Sequence, residues 1–331
     1  MLVINKKNLE DLAKDLAKKS LVFVPVERQD GERVFSILGE EGGPDFEYST
    51  TLLPAKELFF PPKEKTFVFD KKKKKVLPSF APEKFVLFGL NLRDTEALVQ
   101  LDEIMKKPKP DYFYFQKRDA STVVSIINVA DPLPHVGIDL ILEKVNEKEY
   151  KALPLSDKGR SILRSKFFEN KEKIKAKVNP ESKKMPKLRK LLLDPELLKD
   201  AVEWSWKGKP EIWDGLAKKC LGCGVCTYVC PLCYCFSIED RCSLDGEKCT
   251  KSREWDACTL PGFAKIAGGH NFHKSLKERY YNWYYHKFVR GYKEFGKSQC
   301  VACGRCQKYC PAGIDIEKVL VEIVNQYQKL K

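Results

Sequence analysis

The chain has 331 residues, of which 43% are hydrophobic and 11% aromatic, which excludes a disordered tail and leaves room for two domains with proper cores. Lys and Arg total 60 against 46 Asp and Glu, a formal net charge of +14 that points toward acidic partners. The opening stretch MLVINKKNLEDLAKDLAKKS splits its leucines with charges, and no later apolar run approaches the roughly 20 residues of a membrane span, so a soluble, cytoplasmic protein is expected.

In chain order, Asn8 is placed to cap a helix whose Leu9, Leu12, Ala13 and Leu16 share a face. Six β-rich runs follow: LVFVPV (21–26), TFVFD (66–70), KFVLFGL (84–90), DYFYFQ (111–116), TVVSIINV (122–129) and IDLILEKV (138–145). Between the third and fourth, RDTEALVQLDEIM has helical spacing through Leu98, Leu101 and Ile104. No Gly-rich phosphate loop follows these runs, so neither flavin nor nicotinamide is expected in this chain. The lysines 71–75 read as a solvated hairpin tip, with a docking patch for an acidic partner as the alternative. The basic, proline-punctuated stretch 171–190 reads as a linker, and Asp194–Pro195 as the cap and first residue of a helix.

All 13 cysteines fall at or after Cys220. An odd number, clustered, argues for metal ligation before disulfides. Cys220, Cys223, Cys226 and Cys230 precede Pro231, and Cys300, Cys303, Cys306 and Cys310 precede Pro311. Each run has the spacing C-x2-C-x2-C-x3-C-P of bacterial ferredoxins, whose fourth cysteine ligates the other cluster. The expected sets are therefore Cys220, Cys223, Cys226 and Cys310 for one [4Fe-4S] cluster, and Cys300, Cys303, Cys306 and Cys230 for a second. A structural zinc site has no use for a third evenly spaced cysteine.

The intervening insert 231–299 carries Cys233, Cys235, Cys242, Cys249 and Cys258. A third metal site is one reading, built on Cys233, Cys235 and Cys258 with Cys242 or Cys249. Buried thiols, or a Cys242–Cys249 disulfide around SLDGEK, are the other. His270 in AGGHNFH is a candidate ligand or hydrogen-bond donor to a cluster, against the simpler reading of a Gly-Gly turn. Residues 275–289 form a helix with Tyr281, Tyr284, Tyr285 and Phe288 on one face, and a C-terminal helix buries Ile316, Leu320, Ile323, Val324 and Tyr327. Negatively charged clusters give the basic excess a second explanation. The Lys/Glu-rich, Met-poor composition matches that of hyperthermophile proteins.

The ordered set CLGCGVCTYVCPLCYCF, WDACTLPGFAKIAGGHNF, YYHKF and CVACGRCQKYCPAGIDI resembles the beta subunits of soluble nickel–iron hydrogenases of the sulfhydrogenase type. The A subunit of anaerobic sulfite reductase is a relative of that family. The likeness is specific over 217–320 and weaker at LLPAKELFFPP, LFGLNLRDTEALVQLD and GIDLILEKV. It implies an electron relay in a hetero-oligomer, between a flavin- and NAD(P)-binding subunit and the small and large hydrogenase subunits, with no nucleic acid or membrane as partner. Sulfur is a further acceptor such a complex implies. A sulfite reductase subunit, or a basic iron–sulfur protein that binds nucleic acid, are the alternatives; no recognition module supports the latter. Cys233, Cys235 and Cys258 match family positions. NLRD (91–94) and NVADPLPHVG (128–137) lack cysteines that relatives carry there, so a cluster held there in relatives is absent or differently ligated in this chain.

The expected fold is α+β: a mixed α/β domain over 1–175, linker and helices over 176–215, and a mostly α-helical, ferredoxin-like dicluster domain over 216–331.

Overall fold

The structure, a computed structural model, describes residues 1–78, 82–128, 137–172 and 186–330. It divides into two compact units, one of Met1–Phe60 with Phe80–Lys183, the other of Pro61–Ser79 with Lys184–Lys331.

The first unit is built on an eight-stranded mixed sheet, in the spatial order Phe168–Asn170, Leu2–Asn5, Glu149–Pro154, Leu140–Lys144, Ser121–Asn128, Phe85–Leu90, Leu21–Glu27 and Arg33–Ile37. The strands beginning at Leu21, Phe85, Ser121 and Leu140 run parallel to their neighbours in that group. Every residue of Phe85–Leu90 is buried, as a central parallel strand covered on both faces requires. Gly89 has φ +98° where the pairing with Ser121–Asn128 shifts register, and a Cβ there would lie 2.7 Å from the Phe46 ring, so a side chain is excluded twice over. The helix Leu92–Met105 starts at Asn91, whose side chain accepts from the Asp94 amide, and buries Leu98, Leu101 and Ile104 as its spacing predicts.

Two local expectations fail. DYFYFQ is not a strand: Tyr112–Ala120 is a helix, capped by Asp111 accepting from the Tyr114 amide, with Phe113, Tyr114 and Lys117 buried. The aromatic run suits either conformation, and the cap decides it. Asn8 does not cap the helix Leu9–Ala17; it is itself helical, and Asn5, accepting from the Lys7 amide, opens a short 3₁₀ turn ahead of it.

The second unit is less helical than expected. It contains a four-stranded antiparallel sheet in the order Phe236–Cys242, Lys248–Trp255, Lys63–Asp70 and Lys75–Pro78. TFVFD thus pairs with a strand of the cysteine-rich insert, and the boundary expected near residue 175 does not hold for 61–79. A buried ion pair, Arg253 to Glu64 at 2.7 Å, joins the two strands. Lys71 to Lys74 form the exposed turn of the outer hairpin and Lys75 begins its second strand; in the turn, Lys72 pairs with Glu247 at 2.7 Å. Of the expected linker, 173–185 lie outside the described residues. Pro195–Gly208, capped by Asp194 with Pro195 in its first turn, and Pro210–Lys219 are helices of this unit.

Its core packs Leu198, Val202 and Trp213 against Tyr284, Phe288, Leu320 and Ile323. The helix Leu276–Tyr284, with a Ser275/Glu278 capping box, runs into a π-helical turn, Tyr285–Arg290, and on into Gly291–Phe295. Its inward face holds Tyr284 and Phe288, as expected, together with Tyr280, Trp283 and Lys287, whereas Tyr281 and Tyr285 of the expected face are only half-buried. The C-terminal helix Ile316–Gln328 buries Ile316, Leu320, Ile323 and Val324, with Tyr327 half-buried.

Candidate metal centre

The two cysteine runs adopt one backbone design. In the first, the helix Pro210–Lys219 ends on extended Cys220, Gly222 and Gly224 take φ of +64° and +81°, and a turn of helix at Val225–Tyr228 leads to Cys230. In the second, Ala302 and Gly304 take φ of +55° and +78°, and the turn Arg305–Lys308 leads to Cys310. The left-handed residues curl each loop so that amides face sulfur. The amide of Gly222 meets Cys220 Sγ, and that of Ala302 meets Cys300 Sγ, both at 3.4 Å. Beyond the loops, the amides of Leu232 and Ile314 lie 3.4 Å from Cys230 and Cys310. Such concave rows of N–H groups stabilise negative charge on a bound group.

Two cavities result. One is lined by Cys220, Cys223, Cys226 and Cys310 with Tyr280, Trp283 and Ile314. The other is lined by Cys300, Cys303, Cys306 and Cys230 with Leu188, Lys287 and Glu317. The second takes three thiols from its own loop and Cys230 from the other, and the first takes three from its own loop with Cys310 and Cys306 from the other. Cys306 and Ile316 line both, so the cavities adjoin.

Burial dominates the thiol energetics. It pushes Cys226 up to about 12 and Cys300 up to about 11, and holds Cys306 well above its ordinary value. Bare thiolates are therefore disfavoured here, and a cationic iron centre is what would offset the cost. Cys230 is the exception. A hydrogen bond from Cys233 and the charge of Lys287 hold it well below its ordinary value, and the same bond pushes Cys233 well up. Lys287 Nζ lies 2.9 Å from Cys230 Sγ and 3.3 Å from the Gln299 carbonyl oxygen. Composition and motif spacing do not single out this lysine. Its signal is positional: it falls on the inward, otherwise apolar face of its helix.

Among the described residues, no three His, Cys, Asp or Glu converge closely enough to hold one metal ion. The cavities instead spread at least four soft sulfur donors around a space, with amides aimed at sulfur, and that donor set fits an iron–sulfur cluster.

The remaining candidates lie elsewhere. Cys242 and Cys249, opposite each other across the hairpin, form a disulfide and are not open to a third site. Cys233 is buried against Cys230, Cys258 is buried 4.0 Å from Thr227 Oγ1, and Cys235 packs on the core half-buried; none of the three lines either cavity. His270 is exposed, edge-on to the Phe272 ring at 5.0 Å, and also lines neither cavity. In the first unit, Asn91, Leu92, Arg93 and Asn128 border one cavity at the carboxyl ends of the parallel strands. Of the second stretch noted for its missing cysteines, Asn128 shares this cavity with the first, and 129–136 lie outside the described residues.

Residues 219–314 match a family model described as a 4Fe-4S dicluster domain. Over 290 residues the chain is 30% identical to the protein named sulfhydrogenase 2 subunit beta of Pyrococcus furiosus, a match covering 84% of each. No solved structure matches the chain. The likeness runs through both units as well as the cysteine loops, and the chain belongs to the family of sulfhydrogenase beta subunits.

Proposed function

We propose that this chain is the iron–sulfur electron-transfer subunit of a cytoplasmic hydrogenase complex. It relays electrons between a flavin- and NAD(P)-binding subunit and the small and large nickel–iron subunits, with sulfur as an additional acceptor of the complex. The observation that carries the reading is the pair of adjoining cavities, each lined by thiols of both loops, inside the region matched by a dicluster family model. Cys220, Cys223, Cys226 and Cys310 would hold one [4Fe-4S] cluster, and Cys300, Cys303, Cys306 and Cys230 the other. Bound clusters supply one-electron storage. The chain's own residues hold them side by side, direct amides onto sulfur and keep water out with Tyr280, Trp283 and Ile314.

The relative's name favours a hydrogenase over the sulfite reductase alternative. Affinity purification of the complex through this chain, under anaerobic conditions, tests the reading. Nickel–iron subunits should accompany it, and hydrogen should bleach its iron–sulfur absorbance and reduce NAD(P)+. A sirohaem protein in place of the nickel–iron subunits would contradict it.

A further inference from the structure

We infer that Lys287 orders the two cluster potentials, holding the cluster on Cys230, Cys300, Cys303 and Cys306 above its neighbour so that electrons rest there. The inference builds on the two-cluster reading above. Lys287 is buried at 3% exposure, and its ammonium lies 2.9 Å from the sulfur of Cys230. The Gln299 carbonyl oxygen and the Trp283 ring, with its centroid 5.1 Å away, fix the side chain from two further sides. The π-helical turn Tyr285–Arg290 carries the residue, and such turns recur where a helix must aim one side chain at a site.

The two cavities differ in charge. The first has no charged side chain in its lining, its nearby cation Arg279 donating instead to the Thr259 carbonyl oxygen behind the wall, whereas the second has Lys287 and Glu317. The Glu317 carboxylate is taken up by the Leu188 amide at 2.8 Å, so the charge in contact with sulfur is the positive one. A cluster gains one negative charge on reduction. A cation and hydrogen-bond donor on a ligand sulfur stabilises that state and raises the potential, and burial enlarges the effect. Lys287 is thus a positioning residue that acts through Cys230 rather than on any substrate.

The test is an EPR-monitored redox titration of the full chain with its clusters. Lys287→Met should lower one of the two potentials clearly more than the other, with iron content unchanged, and Lys287→Arg should return it most of the way. Two unmoved potentials, or an equal fall in both, would overturn the inference. Should Lys287→Met lose iron, Cys303→Ser in the otherwise unsubstituted chain decides instead. It should alter the signal of higher potential, and alteration of the lower one would overturn the inference. An unsubstituted chain without two clusters would end the reading beneath, whereas two clusters of the wrong order would end this inference alone.

Discussion

At the scale of single residues, the helix that carries Lys287 also carries His286, which burial pushes down to about 4, with Arg290 and Lys287 opposing its charge as well. Its ring lies 3.3 Å from the Tyr234 hydroxyl. A histidine that titrates near 6.5 when unfolded and about 4 when folded is neutral in the folded protein. Between those values the unfolded state binds more protons, so stability falls as pH drops through the window. This one group should cost about 2 kcal/mol between pH 7 and pH 5. Denaturant midpoints measured anaerobically at both values should therefore converge in His286→Gln, by that margin against the parent. An undiminished pH slope would mean that another group is responsible. The glycines of the two loops give a second, comparative prediction. A Cβ on Gly224 would lie 2.8 Å from that of Ala257 and 3.0 Å from the Tyr228 ring, whereas one on Gly304 meets open space. Both sit at positive φ, worth about 1–2 kcal/mol of strain to alanine. Gly224→Ala should thus lower the melting temperature more than Gly304→Ala, and equal effects would mean the Ala257 contact yields freely.

At the scale of elements, the insert is a hairpin followed by a helix, and the hairpin is cross-linked. The Cys242–Cys249 bridge closes a loop with a sequence separation of 7, which chain-entropy reasoning equates with about 2.5 kcal/mol. Cys249→Ser should lower stability by that order and leave iron content untouched. Loss of iron would restore these two cysteines as ligands. Elements are also where sequence and structure part company. The cysteine loops are legible because their spacing is a local geometry, and the helices at 92–105, 195–208 and 316–328 because an amphipathic period or a cap announces them. The strand Lys63–Asp70 is legible as a strand, but not as a partner of Lys248–Trp255, since nothing local encodes pairing between segments so far apart. Lys287 stayed hidden for a related reason: a lysine in a helix is read as solvated, and only tertiary packing shows it turned inward.

At the scale of the molecule, the proposed exchange of a fourth ligand would make the two loops interdependent. Cys310→Ser should perturb the same EPR signal as Cys223→Ser, and Cys230→Ser the same one as Cys303→Ser, although each pair lies on opposite loops. Uncrossed pairing would separate the cavities into independent sites. The 69-residue insert between the motifs (231–299, from the numbering) is compatible with the proposed crossing, because its hairpin and helix return the chain to the core beside Trp213 and Leu320. The crossing is an expectation that spacing alone raises, whereas the extra sheet is not legible, because it needs a segment of the first third of the chain.

The proposed function stands on two [4Fe-4S] clusters in this chain. Iron and acid-labile sulfide, counted on the anaerobically purified full chain, decide it. About eight of each per chain are expected. About four of each, or zinc in place of iron, would contradict it.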